Sequence, residues 1–150
     1  MSAPFTLRPY SAADEAAAIE LWRESWQKAY PRIDFAARVN WWRKRWREDL
    51  VPQTKIVVAQ AGDDLIGYVT VDPRTGYLDQ IVVAPDRWGH GIAEALLAEA
   101  KRLSPRALDL LVNKDNARAI RFYEKHGFRY TGEGANPVSG LPVNKMGWRP

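Results

Sequence analysis

The sequence predicts a mixed α+β domain, a mixed sheet with helices packed on its faces. Three observations predict it. A hairpin pattern, KIVVAQ then AGDD then LIGYVTVD, fills 55–72. A strand–helix–strand–helix series follows over 77–126, and two further strand-like runs close the chain. Two helical patterns precede the hairpin, each with its apolar residues at helical spacing.

The elements follow in order. TLRPY (6–10) is a short first strand. Ser11 is placed as an N-cap, with Asp14 three residues on in the capping-box position. The first helix puts Ile19, Trp22, Trp26 and Ala29 on one face and ends before Pro31. A second helical segment carries Phe35, Val39, Trp42, Trp46 and Leu50. After the hairpin come a strand at 77–85, a helix at 89–103 with Ile92, Leu96, Ala100 and Leu103 inward, and a strand at 107–113. A helix over 116–126 stops at Gly127, and 128–133 and 141–148 are the last strands. No repeat or linker divides the 150 residues, so one domain over 1–150 is expected.

Composition narrows the function. With no cysteine and two isolated histidines, His90 and His126, neither a disulfide framework nor a metal site is expected. No apolar run approaches the roughly 20 residues of a membrane span, and the N-terminus has no apolar signal core, so a cytoplasmic protein without a membrane partner is expected. A net charge of +4 favours an anionic ligand.

PDRWGHGIAEALLAEA (85–100) joins a strand to a helix through Gly89, Gly91 and Ala93. Free N–H groups at a helix start attract phosphate, and glycine lets the backbone approach it. The Gly-Lys-Ser/Thr ending of a P-loop is missing, and Glu94 stands where a dinucleotide fingerprint needs glycine. A second stretch, LLVNKDNARAIRFYEKHGF (110–128), places Val112, Asn116, Ala119, Tyr123, Gly127 and Phe128 at set intervals. With VAP (83–85) before the loop Trp88, Gly89, His90, Gly91, Ile92, Ala93, the two motifs resemble the GNAT superfamily of N-acetyltransferases. The family usually has glutamine or arginine where this chain has Trp88, and Arg87 lies one residue earlier.

The resemblance implies a GNAT fold: a central, mostly antiparallel twisted sheet of six or seven strands, about four flanking helices, and a fourth and fifth strand that run parallel and splay apart. It implies acetyl-coenzyme A as cofactor. The pantetheine arm would pair with the backbone of Ile81, Val82 and Val83, and the pyrophosphate would lie on the amides of 88–93. Asn116 would touch the cofactor as well as cap its helix. Tyr123 would be the general acid that protonates the leaving thiolate, and Asp79 the base, with Glu24 a second candidate. Trp22, Glu24, Trp26, Tyr30 and Trp41 would wall the acceptor site. The implied reaction is transfer of acetyl to a primary amine, of a small molecule or a peptide, by direct attack in a ternary complex. A homodimer is compatible with it.

Two rival readings stand beside this one. WWRKRWR (41–47) interleaves arginine with aromatics, as a nucleic-acid-binding module does. Against it, Trp42 and Trp46 share the apolar stripe while Arg43, Lys44 and Arg47 fall on the solvated face, so no nucleic-acid partner is expected. The other rival is an acyl-coenzyme A sensor on the same fold, without turnover.

Overall fold

The computed structural model describes residues 4–136 and 140–150. Its sheet has seven strands in the order β1-β2-β3-β4-β5-β7-β6. They are β1 Thr6–Pro9, β2 Lys55–Ala61, β3 Asp64–Asp72, β4 Tyr77–Val83, β5 Leu108–Asn113, β6 Arg129–Ala135 and β7 Pro142–Trp148. All neighbours are antiparallel except β4 and β5. The helices are α1 Glu15–Ala29, α2 Val39–Arg45, α3 Val51–Gln53, α4 Ile92–Leu103 and α5 Ala117–Lys125.

Strand alternation divides the core between the two faces of the sheet. Val58, Tyr68 and Val82 pack with Trp22, Trp42 and Trp46 of the first helices. Their chain neighbours Ala59, Val69 and Val83 pack with Leu96 and Leu97 of α4 and with Tyr123 of α5. On the first face Trp22 and Trp42 stack 4.7 Å apart and 8° from parallel, a contact worth about 1 kcal/mol beyond its burial.

The second helical segment is not a plain α-helix. Residues Trp46–Leu50 form a π turn between α2 and α3. The sequence spaces Trp42, Trp46 and Leu50 four apart, which drifts about 40° per step around 3.6-residue turns. A wider π turn winds back against that drift, and all three side chains are buried. The helix after the glycine loop starts at Ile92 rather than 89, because Gly89 and Gly91 both have φ of 84°.

The sheet is nearly cut in two at β4/β5. Their register holds one pair, Tyr77 with Asp109, supported by the Asp109 N–H donating to the Gly76 carbonyl at 2.8 Å. On its other edge β5 pairs with β7 from Leu108 to Asn113. Against β3, β4 carries an extra residue: Thr70 faces Gln80 and Val71 faces Leu78, leaving Asp79 unopposed. A bulge of this kind bends the strand, and β4 leaves β5 with its far edge open.

The N-terminal segment is tied down by one ion pair. Arg8 donates to both carboxylate oxygens of Asp14, at 2.9 and 2.8 Å, and the Ser11 N–H donates to Asp14 Oδ2 at 2.9 Å. The Arg8 hydrogen bonds, chiefly, hold the Asp14 pKa down at about 2. A carboxylate whose folded pKa is depressed stabilises the fold above its unfolded pKa and loses that contribution as pH falls through the folded value. Urea midpoints should therefore fall between about pH 4 and pH 2, and Asp14→Asn should remove on the order of 1–2 kcal/mol of that acid dependence. An unchanged acid slope in the variant would contradict the assignment.

Candidate active site

The opening between β4 and β5 leads into a cleft of about 1000 Å³. Ile81, Val82 and Val83 form one wall, Trp88, Gly89 and Gly91 the end, and Asn116, Ala119 and Tyr123 the opposite wall. The cofactor-contacting residues expected from the two motifs thus come together, although α5 lies some thirty residues beyond β4 in the chain.

Register decides which β4 groups face the cleft. The Ala84 N–H donates to Ile66 O, and the Gln80 N–H to Thr70 Oγ1 at 3.1 Å, so even-numbered residues turn their backbone toward β3. Ile81 and Val83 turn theirs to the open edge. This corrects the expectation for Val82, whose backbone is directed at Tyr68 of β3. The Val83 carbonyl is already engaged, accepting from Ser25 Oγ at 2.9 Å and from Trp88 Nε1 at 2.8 Å. The Trp88 indole therefore has a role beyond its backbone, and the Arg118 guanidinium lies over its ring at 4.3 Å.

The glycine loop is built for close approach. Gly89 and Gly91 are left-handed, and a Cβ on either would meet nothing within 4 Å. Those positions are glycine for their backbone angle and leave open space beside the chain. No side chain caps α4, so its first amides point outward without an intrahelical partner. His90 is exposed and its side chain stays off the cleft wall. The Ile92 side chain is core, so only its amide belongs to the loop.

On α5, Asn116 is the N-cap, its side chain accepting the Ala119 N–H at 3.2 Å. Tyr123 is 7 % exposed and lines the cleft. Among the described residues its hydroxyl has no hydrogen-bond partner, and burial pushes its pKa upward. The phenol therefore stays protonated across the neutral range.

The expected base is placed differently. Both Asp79 oxygens accept from Arg45, at 2.8 and 2.5 Å, and Gln80 Nε2 donates to Asp79 Oδ2 at 3.2 Å. The Arg45 guanidinium also lies 5.3 Å from the Trp42 ring centre. Both oxygens of this carboxylate are therefore engaged within the protein. Glu24 is corrected too: it is exposed on α1 and lines neither the cleft nor the smaller cavity described next.

That smaller cavity, about 70 Å³, lies between α1, β4 and β5, with Trp26, Tyr30 and Ile33 shared between it and the cleft. Trp22 and Phe35 floor it and Asp79, Gln80 and Arg45 line it. Trp22 is otherwise core, and Trp41 is 44 % exposed, away from both cavities. Tyr30 bridges the gap, donating to Asp115 Oδ1 at 2.8 Å and accepting from Asn113 Nδ2 at 2.9 Å. Burial, then Asp115, raises its pKa to about 12. Asn113 Oδ1 in turn accepts from Asn136 Nδ2 at 3.0 Å. Sequence reasoning missed Ser25, Arg45, Asn113, Asp115 and Arg118. Arg45 and Arg118 had a signal, since each falls beside an aromatic motif, but their partners are 34 and 30 residues away.

In the WWRKRWR segment Trp42 and Trp46 are fully buried, Trp41 is exposed, and Arg47 pairs with Glu15. Among the described residues no helix is long and apolar enough to cross a membrane, and no group of three or more His, Asp or Glu side chains is placed to hold a metal.

Known proteins share this architecture. The family model described as Acetyltransferase (GNAT) family matches residues 16–128. The peptidyl-lysine N-acetyltransferase YjaB of Salmonella typhimurium is 32 % identical over 95 residues, 63 % of each chain. The L-amino acid N-acetyltransferase AaaT of Escherichia coli is 34 % identical over 94 residues, 55 % of this chain and 58 % of that protein. The matches thus span less than two thirds of either relative. The PaiA N-acetyltransferase of Thermoplasma acidophilum, solved in complex with coenzyme A, superposes over 100 % of both chains with a TM-score of 0.76 at 22 % identity. With the splayed strand pair, the glycine loop and the family model in agreement, the chain belongs to the acetyltransferase (GNAT) family.

Proposed function

We propose that this chain is an acetyl-coenzyme A-dependent N-acetyltransferase acting on a primary amine by direct attack in a ternary complex. The observation that carries the reading is the convergence on one cleft of three features: the open β4 edge, the uncapped α4 start with its two left-handed glycines, and the Tyr123 phenol. The names of the relatives, a peptidyl-lysine and an amino-acid N-acetyltransferase, support an amine acceptor. They favour turnover over a silent coenzyme sensor.

When bound, acetyl-coenzyme A supplies an activated acetyl thioester. The residues suit it: space beside Gly89 and Gly91 lets phosphate oxygens reach the amides, and the cleft of about 1000 Å³ runs along the open edge of β4 to that loop. The Ile81 N–H on the open edge is the donor placed to hold an oxygen that gains charge. Tyr123 Oη carries the proton for the departing sulfur. Trp26 and Tyr30, beside the smaller cavity, wall the acceptor end. Asp79 fixes Arg45 and Gln80 rather than taking a proton, and the amine attacks as its free base with its proton passing to water in the open cleft.

Tyr123→Phe should lower kcat by about 10²-fold with coenzyme affinity and melting temperature nearly unchanged, since the hydroxyl has no partner among the described residues. The alkaline limb of the wild-type profile should lie above the pKa of about 10 of a free tyrosine, because a raised pKa keeps the acid protonated to higher pH. Near-wild-type turnover in the variant would remove the general acid from the account.

Asp79→Asn separates the two roles of that carboxylate. It should destabilise the fold by about 1–3 kcal/mol, the scale for a hydrogen bond to a charged group, while the acidic limb of the rate profile stays in place. A displaced acidic limb with unchanged stability would restore Asp79 as the base.

A further inference from the structure

Trp88 stands where the resembled family carries glutamine or arginine, so the loop lacks that side chain's donors. The tertiary structure brings a cation to the same place. Arg118, in the first turn of α5, holds its guanidinium carbon 4.3 Å from the centre of the Trp88 ring, well inside cation–π range. The ring is itself fixed at its edge, with Nε1 donating to the Val83 carbonyl at 2.8 Å. β4 therefore clamps the indole, and the indole face carries an arginine from the opposite wall of the cleft.

Three features indicate what that arginine is for. Arg118 is exposed and lines the cleft together with Gly89, Gly91 and Asn116. Among the described residues it takes part in no ion pair, whereas Arg45, Arg47 and Arg102 each have a carboxylate. A guanidinium above an aromatic ring still has N–H donors beyond the ring, and its fork of donors matches the oxygens of a phosphate two at a time.

We propose that Arg118, borne on the face of Trp88, is the side chain that binds a phosphoryl group of the coenzyme in this protein, and that Trp88 is the residue that positions it. The inference rests on the coenzyme-binding reading given above. The ligand chemistry is a phosphate ester anion, either the diphosphate or the ribose 3′-phosphate, and two probes distinguish them. Trp88 stands in for the missing donor by holding an arginine from elsewhere in the chain.

The test is calorimetric titration of the full chain with coenzyme A and with 3′-dephospho-coenzyme A. Arg118→Gln and Trp88→Ala should each weaken coenzyme A binding roughly tenfold, the size of one charge-assisted hydrogen bond. The double variant should be no worse than the weaker-binding single. Trp88→Phe, which keeps an aromatic face and loses the Nε1 bond, should retain a sensitivity to Arg118→Gln. If the Arg118→Gln loss persists with 3′-dephospho-coenzyme A, the diphosphate is the ligand; if it disappears there, the 3′-phosphate is. Arg118→Gln binding as wild type does, or a loss in Arg87→Gln alone, would overturn the proposal. Losses that multiply in the double variant would overturn the positioning role of Trp88. A wild-type chain that binds neither probe would overturn the coenzyme reading itself, a result distinct from both.

Discussion

The parting of β4 from β5 is the constraint on which the rest of the structure depends. A continuous sheet would pair the Ile81 and Val83 backbone groups and leave no cleft. Here the two strands share one register pair, Tyr77 with Asp109. Unpaired strand edges are costly when buried and adhesive when exposed. This one is kept by the structure around it: the Asp79 bulge bends β4, and Tyr30 spans the gap from α1 to Asn113 and Asp115. An edge maintained at such effort has the geometry to receive an extended chain of amides.

The polar groups around the cleft are held from outside it. Arg45 reaches from α2 to Asp79 in the bulge, so the second helix fixes the strand that carries the open edge. Ser25 reaches from α1 to Val83 and meets the Trp88 indole at the same carbonyl. The tryptophan-rich face behind them, Trp22 on Trp42 and Trp46 against Tyr68 and Tyr10, sets the position of both helices. Aromatic packing on one face of the sheet thus reaches the chemistry through two short side-chain links.

Much of this was legible in the sequence, for physical reasons that differ by element. The glycine loop and the 110–128 motif were legible because their logic is local: a left-handed glycine, a capping asparagine and a tyrosine two turns on need only the chain beside them. The apolar stripe of the second helix was legible as a stripe, and its π turn was hidden in a spacing of four. The fate of Asp79 was not legible, since its partner Arg45 is brought to it by tertiary packing. Glu24 was misplaced because helical periodicity gives the face of a helix but not how far around that face a cavity extends. Val82 was misplaced because backbone direction alternates with register, which depends on where the β3 pairing begins.

The central claim is that the open edge of β4 takes up the amide arm of acetyl-coenzyme A. Hydrogen exchange at single amides, measured with and without acetyl-coenzyme A, tests it directly. The account predicts slower exchange at Ile81 and Val83 and at Gly89 to Ala93 on binding, with Val82, already paired to β3, little changed. Unaltered exchange at Ile81 and Val83 in a chain saturated with ligand would contradict it.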